Sequence, residues 1–135
     1  MTTTPGTRAD GHTLPGSRLR RVTEYIRAHL DQRLTLAQLG AVVYMSPHHF
    51  ARLFHRSTGL PPHRFVVRAR VDHAATLLAA PVLSIARISR VVGFRSPSHF
   101  STAFRRTMGV TPRAYRAAHL GAGLLHQAGG RDEME

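Results

Sequence analysis

The sequence predicts an all-α fold of about seven helices, with two similar lobes joined by a long central helix. Three observations carry that expectation. Apolar residues recur at spacings of three and four, and strand alternation is absent. Ser or Thr starts and Gly or Pro stops stand at the offsets that helices use. A pattern of residues then recurs about 50 positions further on.

The elements follow in order. Leu19, Val22, Ile26 and Leu30 give the first helix one apolar face. Thr35 caps a short helix over Leu36, Leu39, Val42 and Val43, and Ser46 caps another that ends near Gly59. After Pro62 a longer helix carries the line Val67, Val71, Ala74 and Leu78 and ends before Pro81. Ser84 caps a short helix stopped at Gly93, Ser96 caps one stopped at Gly109, and Thr111 with Pro112 starts the last. These signals predict a flexible tail over 1–17, a first lobe over 18–60, a connecting helix over 61–80, a second lobe over 81–118 and a flexible, acidic-ended tail over 119–135.

The repeat is the most informative feature. Ser46-Pro47-His48-His49-Phe50 through Phe54, Arg56, Gly59 and Pro62 returns as Ser96-Pro97-Ser98-His99-Phe100 through Phe104, Arg106, Gly109 and Pro112. Upstream of Arg95 the offset falls to 49, so Arg95 is one extra residue in the second copy. Each copy reads as a short helix, a tight turn and a second helix, the helix-turn-helix pattern. One copy is weak support, because many helical hairpins share it. Two copies in a strongly basic chain are much stronger.

Charge narrows the class of partner. The 135 residues hold 19 Lys+Arg, all of them Arg, against 7 Asp+Glu. Residues 18–116 alone carry 17 Arg and three carboxylates, a net +14 on an apolar-rich segment. A disordered polybasic arm would be apolar-poor, so this is a folded domain with a one-signed face that seeks a polyanion. Guanidinium groups bind phosphates and guanine edges bidentately, which suits nucleic acid, although a preference for Arg codons would equally remove Lys. With no Cys, disulfide scaffolds, thiolate zinc sites and Cys nucleophiles are excluded. No signal-peptide core and no long apolar run is present, so a soluble, cytoplasmic protein is expected.

At 100° per residue the second helix of each copy separates into two faces. Phe50, Leu53, Phe54 and Ser57, and likewise Phe100, Ala103, Phe104 and Thr107, point to a core. His48, Ala51, Arg52 and His55, and Ser98, Ser101, Thr102 and Arg105, point the other way. Small, hydroxyl-bearing and basic side chains beside a capped helix start are what a helix needs to enter a major groove. Along the flanks, His49, Arg56, His99 and Arg106 are set to meet phosphates. Ser46 and Ser96 fix helix starts whose free N–H groups attract anions, although Ser-Pro is also simply a good start.

These motifs resemble the DNA-binding domain of the AraC/XylS family of bacterial transcription regulators. The resemblance covers about residues 18–118 and rests on Gly93-Phe94, the Phe100/Phe104 pair and the Gly109-Val110-Thr111-Pro112 end ahead of Tyr115-Arg116. It implies two recognition helices in successive major grooves, with base contacts from His48, Ala51, Arg52, Ser98, Ser101 and Thr102. Phosphate contacts are expected from Ser46, His49, His55, Arg56, Ser96, His99, Arg105 and Arg106. The implied partners are double-stranded promoter DNA and RNA polymerase, with a single chain sufficient on DNA and the short, sensor-free members as the nearest type. In place of the Ala the family favours, the chain has Gly40 and Ser89, and it has Tyr44 where Gly is common. A helical Gly40 costs about 1 kcal/mol relative to Ala, which predicts a less stable first lobe.

Other chemistries find little support. His48 and His55 are too far apart for one ion and His49 points elsewhere, so neither a metal nor a cofactor is expected. The carboxylates of the core are scattered, and an enzyme is not expected. A competing reading remains, in which the chain is a protein-interaction module that keeps the fold with only non-specific DNA affinity. Base readout is thin outside Arg52 and His48, which is what that reading would produce.

Overall fold

A computed structural model describes residues 13–120. Among these the chain forms α1 (Gly16–Ala28), α2 (Leu36–Val42), α3 (Pro47–Thr58), α4 (Pro62–Leu78), α5 (Ile85–Val91), α6 (Pro97–Met108) and α7 (112–120), with no strand. The helix starts are made by the side chains the sequence nominates. Ser46, Ser84, Ser96 and Thr111 accept from the amides of His49, Arg87, His99 and Ala114. Thr35 goes further, because Gln38 reciprocates: Thr35 Oγ1 accepts from Gln38 N at 3.1 Å and Gln38 Oε1 from Thr35 N at 2.8 Å, a capping box. Each such cap contributes about 1 kcal/mol.

Two compact units divide between Ala69 and Arg70, inside α4. The first lobe is α1, α2, α3 and the first part of α4; the second is the rest of α4 with α5, α6 and α7. The duplication is therefore deeper than the helix pair. Val22 of α1 and Val71 of α4, 49 positions apart, are both fully buried, as are Leu39/Ile88 at nearly full burial and Val43/Val92. Phe65 of α4 and Tyr115 of α7, 50 apart, close each lobe by meeting Phe54 and Phe104 edge-on.

In the first lobe Val22, Ile26, Leu30, Leu39, Val43, Phe50, Leu53, Phe54 and Val66 form one apolar cluster. Burying a side chain of this size contributes about 1.5–3 kcal/mol, and this cluster is what seats α3. Leu14 belongs to it at 5% exposure, and its amide donates to Ser57 Oγ at 2.8 Å. This corrects the expected tail over 1–17 in its last residues: α1 starts at Gly16, and Leu14 is core. The expected tail over 119–135 is corrected likewise at its start, since residues 119 and 120 continue α7; residues 1–12 and 121–135, on which the rest of both expected tails falls, lie outside the described residues. In the second lobe Val71, Ala74, Ala75, Leu78, Ile88, Val92, Phe94, Phe100, Ala103 and Phe104 are buried. Arg116 fastens α7 there, donating from Nε to the Leu78 carbonyl at 3.1 Å and from Nη2 to the Ala80 carbonyl at 2.9 Å.

Three expectations change. Val66, not Val67, is buried on α4. In its first turns Pro62 and Val66 turn inward, and further on Val71, Ala74, Ala75 and Leu78 do, so no single straight stripe fits both parts. Thr107 is exposed, whereas its counterpart Ser57 is half-buried because the Leu14 segment reaches it. Gly40 is not a mere loss of helix propensity. A Cβ there would stand 2.6 Å from the Met45 carbonyl oxygen, so the backbone at the turn requires a hydrogen at that place. The first lobe's strain lies instead at Tyr44, the one non-glycine residue with positive φ, at 60°, among those described.

Candidate nucleic-acid interface

Each of α3 and α6 is set by the turn before it. In the first lobe α2 ends with the Tyr44 amide on the Ala41 carbonyl and the Met45 amide on the Gly40 carbonyl. In the second, Gly93 and Phe94 make the same two bonds to Arg90 and Ser89. This is a Schellman ending, with Tyr44 or Gly93 as its left-handed residue. The chain then passes to Ser46 or Ser96, directly in the first lobe and through the inserted, exposed Arg95 in the second. Pro47 and Pro97 supply no N–H, and the Ser hydroxyls occupy the next-but-one amides. The amides of His48 and Ser98 are thus directed out of the helix starts. Each capping Ser still has its own O–H to donate.

The faces divide as the wheel requires. Phe50, Leu53 and Phe54, and Phe100, Ala103 and Phe104, are buried. On α3, His48, His49, Arg52, His55 and Arg56 are exposed and Ala51 is half-buried. On α6, Ser98, His99, Thr102, Arg105 and Arg106 are exposed and Ser101 is half-buried, as is the capping Ser96; Ser46 is exposed. No carboxylate stands on either helix. Each helix therefore offers a neutral-to-cationic outer surface and ends in a left-handed glycine, Gly59 or Gly109, both at φ 82°.

Within these faces two contacts distinguish the lobes. On α3, Arg52 Nη2 lies 3.2 Å from His49 Nδ1. On α6 position 102 is Thr, and the His99 ring instead stands edge-on to Phe94, centroids 5.2 Å apart at 89°. The first contact has a signal in the sequence, since a spacing of three on a helix brings such side chains together. Arg95, an insertion in the sequence, is an exposed cation one residue ahead of the Ser96 cap. Among the described residues no group of three or more His, Cys, Asp or Glu could hold a metal ion, and no helix is long and apolar enough to cross a membrane.

Comparison with known proteins adds the following. Residues 39–118 match a family model described as a helix-turn-helix domain. The regulatory protein PocR of Salmonella typhimurium is 40% identical over 106 residues, covering 78% of this chain and 35% of PocR. The chain spans about a third of the length of the first curated relatives it matches. Among solved structures, the DNA-binding domain of AdpA, a global transcriptional factor in complex with a target DNA, has a TM-score of 0.73 and 34% identity, over 78% of this chain and 95% of that one. An AraC-type regulator from Chromobacterium violaceum has a TM-score of 0.72 and 28% identity, over 76% and 92%.

Proposed function

The chain belongs to the AraC-type helix-turn-helix family of transcription regulators, and we propose that it binds promoter DNA sequence-specifically through α3 and α6. In this reading the two helices enter successive major grooves, roughly 10 bp apart from centre to centre. The carrying observation is the duplicated outer face: small, hydroxyl-bearing and basic side chains without a carboxylate, twice, each on a helix seated by a buried Phe pair. The likeness to AdpA, whose domain was solved on a target DNA, supports the same reading.

Roles follow from side-chain chemistry. Arg52 can take the O6/N7 edge of a guanine bidentately, His48 can read beside it, and the Ala51 methyl can meet a thymine methyl. Ser98, Ser101 and Thr102 offer only short hydroxyl reach, so the second lobe works more through phosphates and DNA shape. Ser46, His55 and Arg56, with Ser96, His99, Arg105 and Arg106, are the phosphate contacts. Because one chain supplies two readers, it acts as a monomer on DNA, and contact with RNA polymerase is the route from binding to regulation. Its place of work is the bacterial cytoplasm, at the nucleoid when bound. The relatives are regulators rather than enzymes, and no catalysis is part of this reading.

The test is binding-site selection from random duplexes, followed by gel shifts with competitor at several salt concentrations. A selected site that resists competitor is the expected result. Arg52→Ala should relax one base position and cost about 1–3 kcal/mol on that site. Arg106→Ala should weaken all sequences alike and flatten the salt slope by about one unit. A steep salt slope with no preferred sequence would leave a polyanion binder or an interaction module.

A further inference from the structure

We infer that His49 is a positioning residue for Arg52: its imidazole Nδ1 accepts from the guanidinium and holds it ready to read a base. The inference rests on the base-reading role proposed for Arg52. Its observation is the 3.2 Å contact between Arg52 Nη2 and His49 Nδ1 on the exposed face of α3.

The chemistry of the pair fixes the direction of the bond. Arginine has five N–H donors and no acceptor, so Nδ1 must be the acceptor and the ring must be neutral with its proton on Nε2. The neutral ring keeps an Nε2–H that can still donate to a phosphate, whereas the imidazolium, the stronger phosphate ligand, has no acceptor and sets two cations side by side. The Arg52 contact and the imidazolium form are therefore alternatives at this ring. The contact uses one of the four Nη hydrogens, leaving both on Nη1 and the second on Nη2 for a base edge. Arginine also carries more rotamer entropy than nearly any other side chain, and a guanidinium ordered before DNA arrives loses less on binding.

The second lobe supplies the contrast. His99 holds the same register on α6, 50 positions on, but its partner at three residues' distance is Thr102. There the ring turns to the edge of Phe94. The common His is thus used differently in the two lobes, following what stands beside it. The His49 backbone is held where the pair needs it, since its amide donates to Ser46 Oγ at the helix start.

The experiment measures affinity for the selected site and for a random duplex of equal length, and reads the ratio. Arg52→Ala lowers the ratio by about five- to a hundredfold. His49→Ala lowers it by about two- to tenfold through loss of one solvent-exposed hydrogen bond, with random-duplex affinity held. His49→Gln, whose Oε1 can accept in place of Nδ1, keeps the ratio within about twofold, whereas His49→Lys, a good phosphate ligand that repels Arg52, lowers it. In an Arg52→Ala background, His49→Ala changes the ratio no further. Equal losses on both duplexes with a flatter salt slope, a ratio kept by His49→Lys, or additive effects in the double variant would each overturn the positioning role. If Arg52→Ala leaves the ratio unchanged, base reading by Arg52 fails first, and there is nothing for His49 to position. His49 is on the solvent face, so random-duplex affinity also reports that each variant is folded.

Discussion

Phe50, Phe54 and Phe65 in the first lobe have their counterparts in Phe100, Phe104 and Tyr115 in the second, and the rings meet in much the same way. Phe54 and Phe65 stand edge-on with centroids 5.1 Å apart, Phe104 and Tyr115 at 5.4 Å. The outsides diverge. The outer face of α3 carries a His49–Arg52 pair, that of α6 hydroxyls and a His99–Phe94 contact; one turn passes through a strained Tyr44, the other through Gly93. Interior positions are held alike because close packing admits few solutions. Turn and surface positions are not so held, and there a duplicated unit can acquire two chemistries.

The largest effects test the shared interior. Phe54→Ala and Phe104→Ala should each cost about 3–5 kcal/mol, as fully buried aromatics do. Urea unfolding followed by helix content reads both. A cost under about 1 kcal/mol at either site would show that the two cores are alike in residue type only.

At the turns the sign of an effect decides more than its size. Helix propensity alone makes Gly40→Ala stabilising by about 1 kcal/mol. With a Cβ 2.6 Å from the Met45 carbonyl, the variant should instead lose about 1–3 kcal/mol, as overpacked sites do. Thermal unfolding distinguishes the two by direction. Ser89, the counterpart, accommodates a buried side chain, its hydroxyl donating to the Ala86 carbonyl at 2.8 Å. The constraint at Gly40 thus belongs to the first turn and not to the motif.

A smaller asymmetry closes each lobe. Arg116 ties α7 to the carbonyls of Leu78, the last residue of α4, and Ala80, just beyond it, while Val66, 50 positions earlier, is buried among apolar groups. Arg116→Ala should cost about 1–2 kcal/mol, below the range for a fully buried charged hydrogen bond because the side chain is half exposed. Chevron or equilibrium unfolding of the single variant measures it. A loss near zero would mean that the Phe104–Tyr115 contact alone secures α7.

What the sequence makes legible divides along the same line. Caps at Thr35, Ser46, Ser84 and Ser96, stops at Gly59 and Gly109, and the Phe pairs are local or periodic signals, and the structure has them. The outer faces of α3 and α6 follow from that periodicity. Ser57 and Thr107 look equivalent on a wheel, yet one meets a backbone amide 43 residues away. Helix propensity misses the constraint at Gly40, because the carbonyl that excludes a side chain comes from the turn and not from the helix. The His49–Arg52 contact has a local signal in the spacing of three, but on sequence alone His49 points to a phosphate and Arg52 to a base, each apart from the other.

The smallest prediction joins two of these positions. A non-glycine residue in the left-handed region costs about 1–2 kcal/mol, and Tyr44 is 80% exposed, so packing offers little return for it. Tyr44→Gly should recover that strain less the extra unfolded-state entropy of glycine, a net gain of about 0.5–1 kcal/mol in thermal unfolding. The second turn suggests that more follows. Gly93 sits at φ 104° beside a Ser at 89, whereas Tyr44 sits at φ 60° beside a Gly at 40. Only glycine reaches the wider angle readily, so in a Tyr44→Gly background the first turn can take the geometry that admits a Cβ. Gly40→Ala should then lose most of its penalty. A double variant with additive effects would show instead that the Met45 carbonyl is held in place by something other than the residue before it.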